Sequence, residues 1–269
     1  MLGSSHYLRH RSEMAADPLS EILRLADARS VVSGGFTAGG AWAIRFPEML
    51  KMKFCALVKG GCLLAIDGQK KPIRAEEGDV FLLCAQRAFT LASDLSVPAV
   101  EAAAVFTNDQ EPFSQVGEGE DCSVIGGFVY LDPASGELLA GVLPPLIHVR
   151  AAAPQATVLR WLLDQFVREG EGALPGSTLV SVQLAQLMFV QILRLHLAGS
   201  GALPSGWLRA LADPRLAPVM GLIHSDPARA WHLEELAKAA SMSRTAFAVH
   251  FKAVAGIPPL AYLTEWRMH

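Results

Sequence analysis

Histidine, cysteine and carboxylate side chains are the usual carriers of metal and acid–base chemistry, and this chain distributes them unevenly. Of its eight histidines, none falls between Arg11 and Ile147. Imidazole is the ligand that His-bound iron and zinc sites require, so no such metal centre, and no metal or other cofactor, is expected in that half. Carboxylates gather at Glu76, Glu77 and Asp79 around Gly78, where they read as solvated turn residues. Cys55, Cys62 and Cys84 lie in short apolar runs. A thiol there is either a small buried filler or a redox-responsive group. Cys122 follows the acidic run Glu118-x-Glu120-Asp121, which is expected to raise its pKa. Together with Trp42, Arg45 and Phe89, the cysteines at 55, 62 and 84 are the candidate contacts of a small-molecule pocket. His148 and His196 lie beyond this region and read as ordinary core or surface residues.

The elements that hold these residues are of two kinds. From Ser30 to about Val129, apolar runs such as Phe54 to Val58, Cys62 to Ile66, Val80 to Cys84 and Val100 to Phe106 alternate with glycine turns. Asp67-Gly68 between two such runs is a hairpin signal. Many short, closely spaced strands predict an antiparallel sandwich or barrel. After Leu143-Pro144-Pro145 the pattern becomes helical. Thr157 to Glu169 carries an apolar stripe, and Leu179 to Leu197 is apolar nearly all round. That second helix is either a central core helix or a dimer seam. A homodimer is expected through it or its neighbour, with glutamate at Leu187 or Met188 giving folded monomers. Upstream, Pro18 to Ala26 reads as a short amphipathic helix, and residues 1–16 as a leader or tag. A Gly/Pro/Ser-rich link, Gly199 to Gly206, precedes the final segment.

Composition bounds the rest. With 51% hydrophobic and 18% charged residues and a mean hydropathy of +0.31, the 269-residue chain is not a disordered one. It lacks about 18 uninterrupted apolar residues, so no membrane span is expected, and no apolar signal core precedes Ser20, so a cytoplasmic location is expected. Four cysteines agree with a reducing compartment. The net charge of −3 is asymmetric: residues 205–269 hold seven Lys+Arg against five Asp+Glu, and residues 1–204 hold 16 against 21. A mildly basic tail is a weak signal for nucleic acid.

Leu233 to Ala240 reads as a short helix with Glu234 and Glu235 in its first turn, where the helix dipole favours them. Ser241-Met242-Ser243 makes a tight turn, with Ser243 placed to cap a second helix that begins at Arg244. Phe247 and Phe251 are placed to pack onto Leu236 and Ala240, and Gly256 with Pro258-Pro259 ends the helix. Two short helices joined this way form either a helix-turn-helix, whose second helix enters the major groove, or a plain helical hairpin.

The segment Trp231-x-Leu-x-x-Leu-Ala-x-x-Ala, Met242-Ser243-Arg244, Phe247-x-x-x-Phe251, Gly256-x-Pro258-Pro259-x-x-Tyr262-Leu263 and Trp266-Arg267-Met268 resembles the AraC/XylS family of bacterial transcription regulators. Gly206-Trp207-Leu208-x-Ala210-Leu211-x-Asp213-Pro214-Arg215 is similar to the lead-in of the branch with a cupin-type sensor. Val58-Lys59-Gly60-x-Cys62, Asp67-Gly68 and Glu77-Gly78-Asp79 resemble that branch's barrel. The resemblance implies an α+β chain. It comprises a cupin-like β-barrel or jelly roll over 17–142, a helical dimerisation region over 143–204 and a helix-turn-helix over 205–269. It also implies a ligand-responsive, DNA-binding function rather than an enzyme. Where metal-binding relatives carry histidine, this chain has Cys55 and Phe89.

Ser243, Arg244, Thr245, Ala248, Val249, His250 and Lys252 fall on the family's DNA-reading helix. Thr245, Ala248 and Val249 stand where arginine or glutamine usually reads bases. Losing a bidentate arginine removes roughly 1–3 kcal/mol of discrimination at a guanine, so the remaining donors suit phosphate better than bases. The family joins two helix-turn-helix units by a long helix, and this sequence stops at His269, inside that linker. DNA binding is therefore expected to be weak and nearly sequence-independent. Ser241 replaces a common glycine, which strains the turn if its φ is positive. The alternatives are a cupin-fold dioxygenase or isomerase, and a ligand-binding dimer that no longer reads DNA.

Overall fold

A computed structural model describes residues 18–107, 113–133, 136–172, 174–199 and 205–268. The expected leader over 1–16 and most of the Gly199–Gly206 link lie outside the described residues. The chain divides into two compact units. One comprises Arg29–Leu131 and Leu143–His196, and the other Asp132–Val142 and Leu197–His269 together with the chain up to Ala28.

The first unit contains two facing sheets. Strands β1 (Arg29–Gly39), β3 (Met52–Lys59), β6 (Val80–Leu83), β9 (Phe113–Gly117), β10 (Cys122–Tyr130) and β11 (Leu146–Val149) form a six-stranded sheet in the order β11-β6-β3-β10-β1-β9. Strands β2 (Ala43–Phe46), β4 (Gly61–Ile66), β5 (Ile73–Glu76), β7 (Phe89–Ala92) and β8 (Val100–Glu101) form the second, in the order β5-β4-β7-β2-β8. Most pairs are antiparallel, while β9 runs parallel to β1 and β8 to β2. Alternation along each strand sends one side chain in two to the shared interior. Phe36, Leu57, Phe81 and Val124 thereby meet Ile44, Leu64, Phe89 and Leu91 in one core. The expected Asp67-Gly68 hairpin joins β4 to β5, with Gly68 at φ 82°. Gly60, at φ 72°, lets β3 turn into β4 where any Cβ would run into the Asp121 carbonyl.

Two expectations are corrected here. Val100 to Phe106 is strand for only two residues and continues as a helical turn, α2 (Ala102–Val105). Its three alanines favour helix and offer a sheet little to pack. Asp79 is not a solvated turn carboxylate, being only 5% exposed. It accepts hydrogen bonds from the Glu76 and Ala151 N–H groups and lies 2.9 Å from His148 Nε2. That web ties the β5–β6 turn to the end of β11.

Helices α4 (Thr157–Gly172) and α5 (Ser177–Ala198) follow, after α3 (Glu137–Ala140). The apolar stripe of α4 is buried at Leu159, Leu162, Leu163 and Phe166, and α4 packs on β3. Helix α5 buries Leu184, Ala185, Met188, Phe189, Ile192 and Leu193, while Gln186 Oε1 accepts from the Ser30 N–H on β1. It is long and apolar enough by length and composition to cross a membrane, yet this buried stripe and bond tie it to the sheet unit. Leu179, Val180 and Leu187 remain exposed.

The second unit holds α6 (Trp207–Ala212), α7 (Ala217–Ser225), α8 (Leu233–Ala239), α9 (Arg244–Ala255) and α10 (Pro259–Trp266). It also holds α1 (Pro18–Leu25), which packs on α7. Sequence order groups α1 with the strands that follow it. Its apolar stripe, with Ile22 fully buried and Leu19 and Ala26 nearly so, is covered by the C-terminal helices instead.

Candidate functional site

A cavity of about 340 Å³ opens inside the sheet unit, walled by β1, β2, β3, β10 and the α2 turn. Phe36, Phe46, Phe106 and Phe128 give it an aromatic lining, and Met49 and Leu91 add to the apolar surface. Lys53 lies within this wall. Its position on β3 alternates with Cys55 and Leu57, both in the core, so it occupies an inward-facing site and is 8% exposed. The Lys53 ammonium sits 4.7 Å from the ring centre of Phe46 and 4.6 Å from that of Phe128. Across the ladder, Gly126 faces Cys55, and its missing side chain leaves room beside the lysine stem, where a Cβ would lie 3.6 Å from Lys53 Cε.

No ion pair or hydrogen bond engages the ammonium among the described residues. Burial pushes its pKa below the ordinary lysine range, with the neighbouring Cys55 acting in the opposite direction. Each cation–π contact returns about 0.5–2 kcal/mol, against an effective desolvation cost of several kcal/mol for a buried ion. The cation is only partly compensated.

The residues expected to line the pocket are scattered. Cys55 lines it. Phe89 stacks on Phe46 with ring centres 4.7 Å apart and so backs the wall. Trp42 is buried against Phe36, 5.2 Å between ring centres, and belongs to the core. Arg45 is on the surface, bonded to both Asp67 carboxylate oxygens at 2.6 and 3.3 Å. Cys84 is half-buried, and its thiol donates to the Leu82 carbonyl at 3.7 Å. Cys62 is hydrogen-bonded to Cys122, which with burial pushes the Cys62 thiol well above the usual range. The same bond lowers the Cys122 pKa, outweighing burial and the Asp121 charge. The acidic run therefore does not dominate Cys122, contrary to the sequence expectation. Among the described residues no cluster of three or more His, Cys, Asp or Glu could hold a metal ion.

In the second unit, α8 and α9 are joined through Ser241-Met242-Ser243. Ser241 has φ 54°, the left-handed conformation in which serine is strained. Ser243 caps α9, its Oγ accepting from the Ala246 N–H at 3.3 Å, and Gly256 ends it at φ 83°. Helix α8 starts with the Glu235 carboxylate accepting from the His232 N–H, which holds its pKa below the usual carboxylate range. Phe247 and Phe251 are fully buried with Leu236 and Ala240.

The outer face of α9 presents Arg244, Thr245, Val249 and Lys252, with Ala248 half-buried. Arg244 Nη1 is 2.9 Å from Glu234 Oε1. His250 is not a free donor: its Nε2 lies 2.9 Å from Asp213 Oδ2, turned toward the α6 end of its own unit. Behind α9, His224 Nε2 meets the Tyr262 hydroxyl at 2.6 Å and its ring stacks on Trp266 at 4.0 Å. Burial lowers the His224 pKa to about 4.

The Cupin family profile matches residues 17–198. An AraC-like transcription regulator of Streptomyces antibioticus is 42% identical over 252 residues, spanning 94% of this chain and 83% of that one. The chain belongs to the AraC-like transcription regulators that carry a cupin domain. A second such regulator, from Streptomyces lividans, is 41% identical over the same shares of both chains. Among solved structures, ToxT from Vibrio cholerae aligns over 88% of this chain and 97% of its own, at 11% identity and a TM-score of 0.31. With the family in place, Lys53 is the residue that reading by motif missed. The signal was a charged residue at an inward position of the apolar run Met52-Lys53-Phe54-Cys55-Ala56-Leu57.

Proposed function

We propose that this AraC-like regulator couples a small-molecule effector, held in the cavity of the sheet unit, to DNA contact through α9. The observation that carries the reading is the pairing, in one chain, of an aromatic cavity with a capped helix-turn-helix. Arg244, Thr245 and Lys252 supply exposed donors to phosphate, with the Ser243 cap at the helix start. Val249, at 66% exposed, and Ala248 offer only apolar contact, so sequence discrimination from this unit is small. Trp42, Arg45, Cys62 and Cys84 shape the sheet unit without contacting the effector, whereas Cys55 touches it and Phe89 supports the wall. The chain acts in the cytoplasm, as DNA contact requires.

Exposed Leu179, Val180 and Leu187 on α5, with Gln183 and Gln191 the polar residues between and after them, form an uncharged strip. A second copy of the chain is the proposed cover, since a closed two-fold pair buries one patch against itself.

Titrating labelled duplex DNA at several salt concentrations tests the reading. Affinity is expected to be weak and to fall steeply with salt as counterions are released. A salt-independent affinity, or operator binding near ~10⁻⁸ M at physiological salt, contradicts it.

A further inference from the structure

Resting on that effector-pocket reading, the cavity narrows what the effector is. Among the described residues, everything lining it is apolar or backbone except the Ser33 hydroxyl, the Cys55 thiol and the Lys53 ammonium. Ser33 Oγ already donates to the Gly126 carbonyl at 3.3 Å, and a buried thiol is a weak donor. Among the described lining residues, the one strong, unspent donor is Lys53 Nζ. A lysine reaching for solvent would leave its nitrogen outside, yet this one is 8% exposed and held between the Phe46 and Phe128 rings.

We propose that the effector is a small organic carboxylate whose anionic end pairs with Lys53 Nζ while its apolar body fills the space among Phe36, Phe46, Phe106 and Phe128. A single negative charge suits the site. It cancels the ammonium and leaves the apolar chamber neutral, whereas a phosphate dianion would leave a net charge, since Lys53 is the one cation among the described lining residues. The volume of about 340 Å³ lies at the small end of ligand pockets, which span about 300–1,000 Å³. A ring or a short branched or linear chain fits that space.

The test is calorimetric titration of the full chain with 3-phenylpropanoate and octanoate, each against its own amide of nearly equal shape and no charge. At least one acid is expected to bind roughly 30-fold or more tighter than its amide, as a buried, hydrogen-bonded charge pair requires. Lys53→Met should erase that preference while the amide still binds, and Lys53→Arg should retain it. The Met variant without ligand should melt no lower than the parent chain, because it removes a buried, unpaired charge. A lysine with a purely structural role would give the opposite shift. Equal binding of acid and amide, or a preference that survives in Lys53→Met, overturns the carboxylate assignment and leaves the pocket reading standing. Borohydride trapping of 3-phenylpropanal on Lys53 without any acid preference overturns it too, since the amine would then be a carbonyl nucleophile. If none of the four probes binds, the carboxylate is ruled out. A broad library of neutral and cationic metabolites that also fails to raise the melting temperature removes the effector reading itself.

Discussion

Arg244 Nη1 stands 2.9 Å from Glu234 Oε1, so the first residue of α9 is held by the acid of the helix before it. Both side chains are about two-thirds exposed, and such a pair contributes only about 0–1 kcal/mol to stability. Its consequence for DNA is larger. The carboxylate repels phosphate where α9 would approach the backbone, and it occupies the guanidinium that would bind there. Glu234→Gln is expected to tighten DNA binding about two- to fivefold and to steepen its salt dependence by close to one counterion, with melting nearly unchanged. Electrophoretic titration at three salt concentrations checks this, and unchanged affinity would mean that Arg244 faces away from the duplex.

Ser241 gives a prediction about the turn itself. At φ 54° a residue with a Cβ is strained by roughly 1 kcal/mol. Ser241→Gly relieves that strain but loosens the unfolded chain, so a net gain of about 0.5 kcal/mol is expected. Ser241→Val should cost about 2 kcal/mol, because a branched Cβ is an outlier there. Amide hydrogen exchange of α9 in the full chain reads both signs. A faster exchange in the glycine variant than in the parent would contradict the strain argument.

The turn and its two helices were legible because each of their signals is local. Ser243 caps three residues ahead, Gly256 stops the helix, and Phe247 and Phe251 share one face. The strands around Cys55, Cys62 and Phe81 were legible for the same reason, as short apolar runs bounded by glycine turns. What sequence order hid is tertiary. Helix α1 finds its cover on α7, some two hundred residues away in the chain, and nothing in its own residues names that partner. The Ala102 turn went against a strand reading because alanine runs carry no alternation. Lys53 was overlooked because a search for ligands and nucleophiles weighs histidine and cysteine first. The decisive fact about it, that no acid among the described residues pairs with it, belongs to the packed sheets.

His224 makes the C-terminal helical unit sensitive to acid. Its folded pKa is about 4, lowered by burial, against about 6.5 in an unfolded chain. The unfolded state therefore binds the extra proton between these values. The stabilisation from keeping the ring neutral is complete above about pH 6.5 and is lost as pH falls through 4. The shift corresponds to roughly 3 kcal/mol at most. The melting temperature of the unit should drop steadily from pH 6.5 to 4, followed by tryptophan fluorescence of Trp266, whose ring stacks on His224 at 4.0 Å. His224→Phe keeps an aromatic ring on Trp266 and should flatten that slope, though it leaves the Tyr262 hydroxyl without its partner. A slope that persists in the variant would place the acid sensitivity elsewhere.

The proposed pairing of two chains is tested by two adjacent residues of α5 that look alike in sequence and differ in the fold. Leu187 is 49% exposed and Met188 is 2% exposed, so only the first can sit in a seam between copies. The sequence alone offered either as the site for a monomer-making glutamate. In the fold, glutamate at Met188 buries a charge among Leu184, Phe189 and Ile192, and the sheet unit is expected to unfold, since an unpaired buried charge costs several kcal/mol. Glutamate at Leu187 projects from the exposed strip and should leave melting of the isolated chain within about 0.5 kcal/mol of the parent. Across a two-fold seam the same change places like charges face to face, because each copy contributes the same patch. Sedimentation velocity should then show the parent as a dimer and Leu187→Glu as a folded monomer. A parent chain that sediments as a monomer at micromolar concentration, or a Leu187→Glu variant that stays dimeric, would remove α5 as the seam.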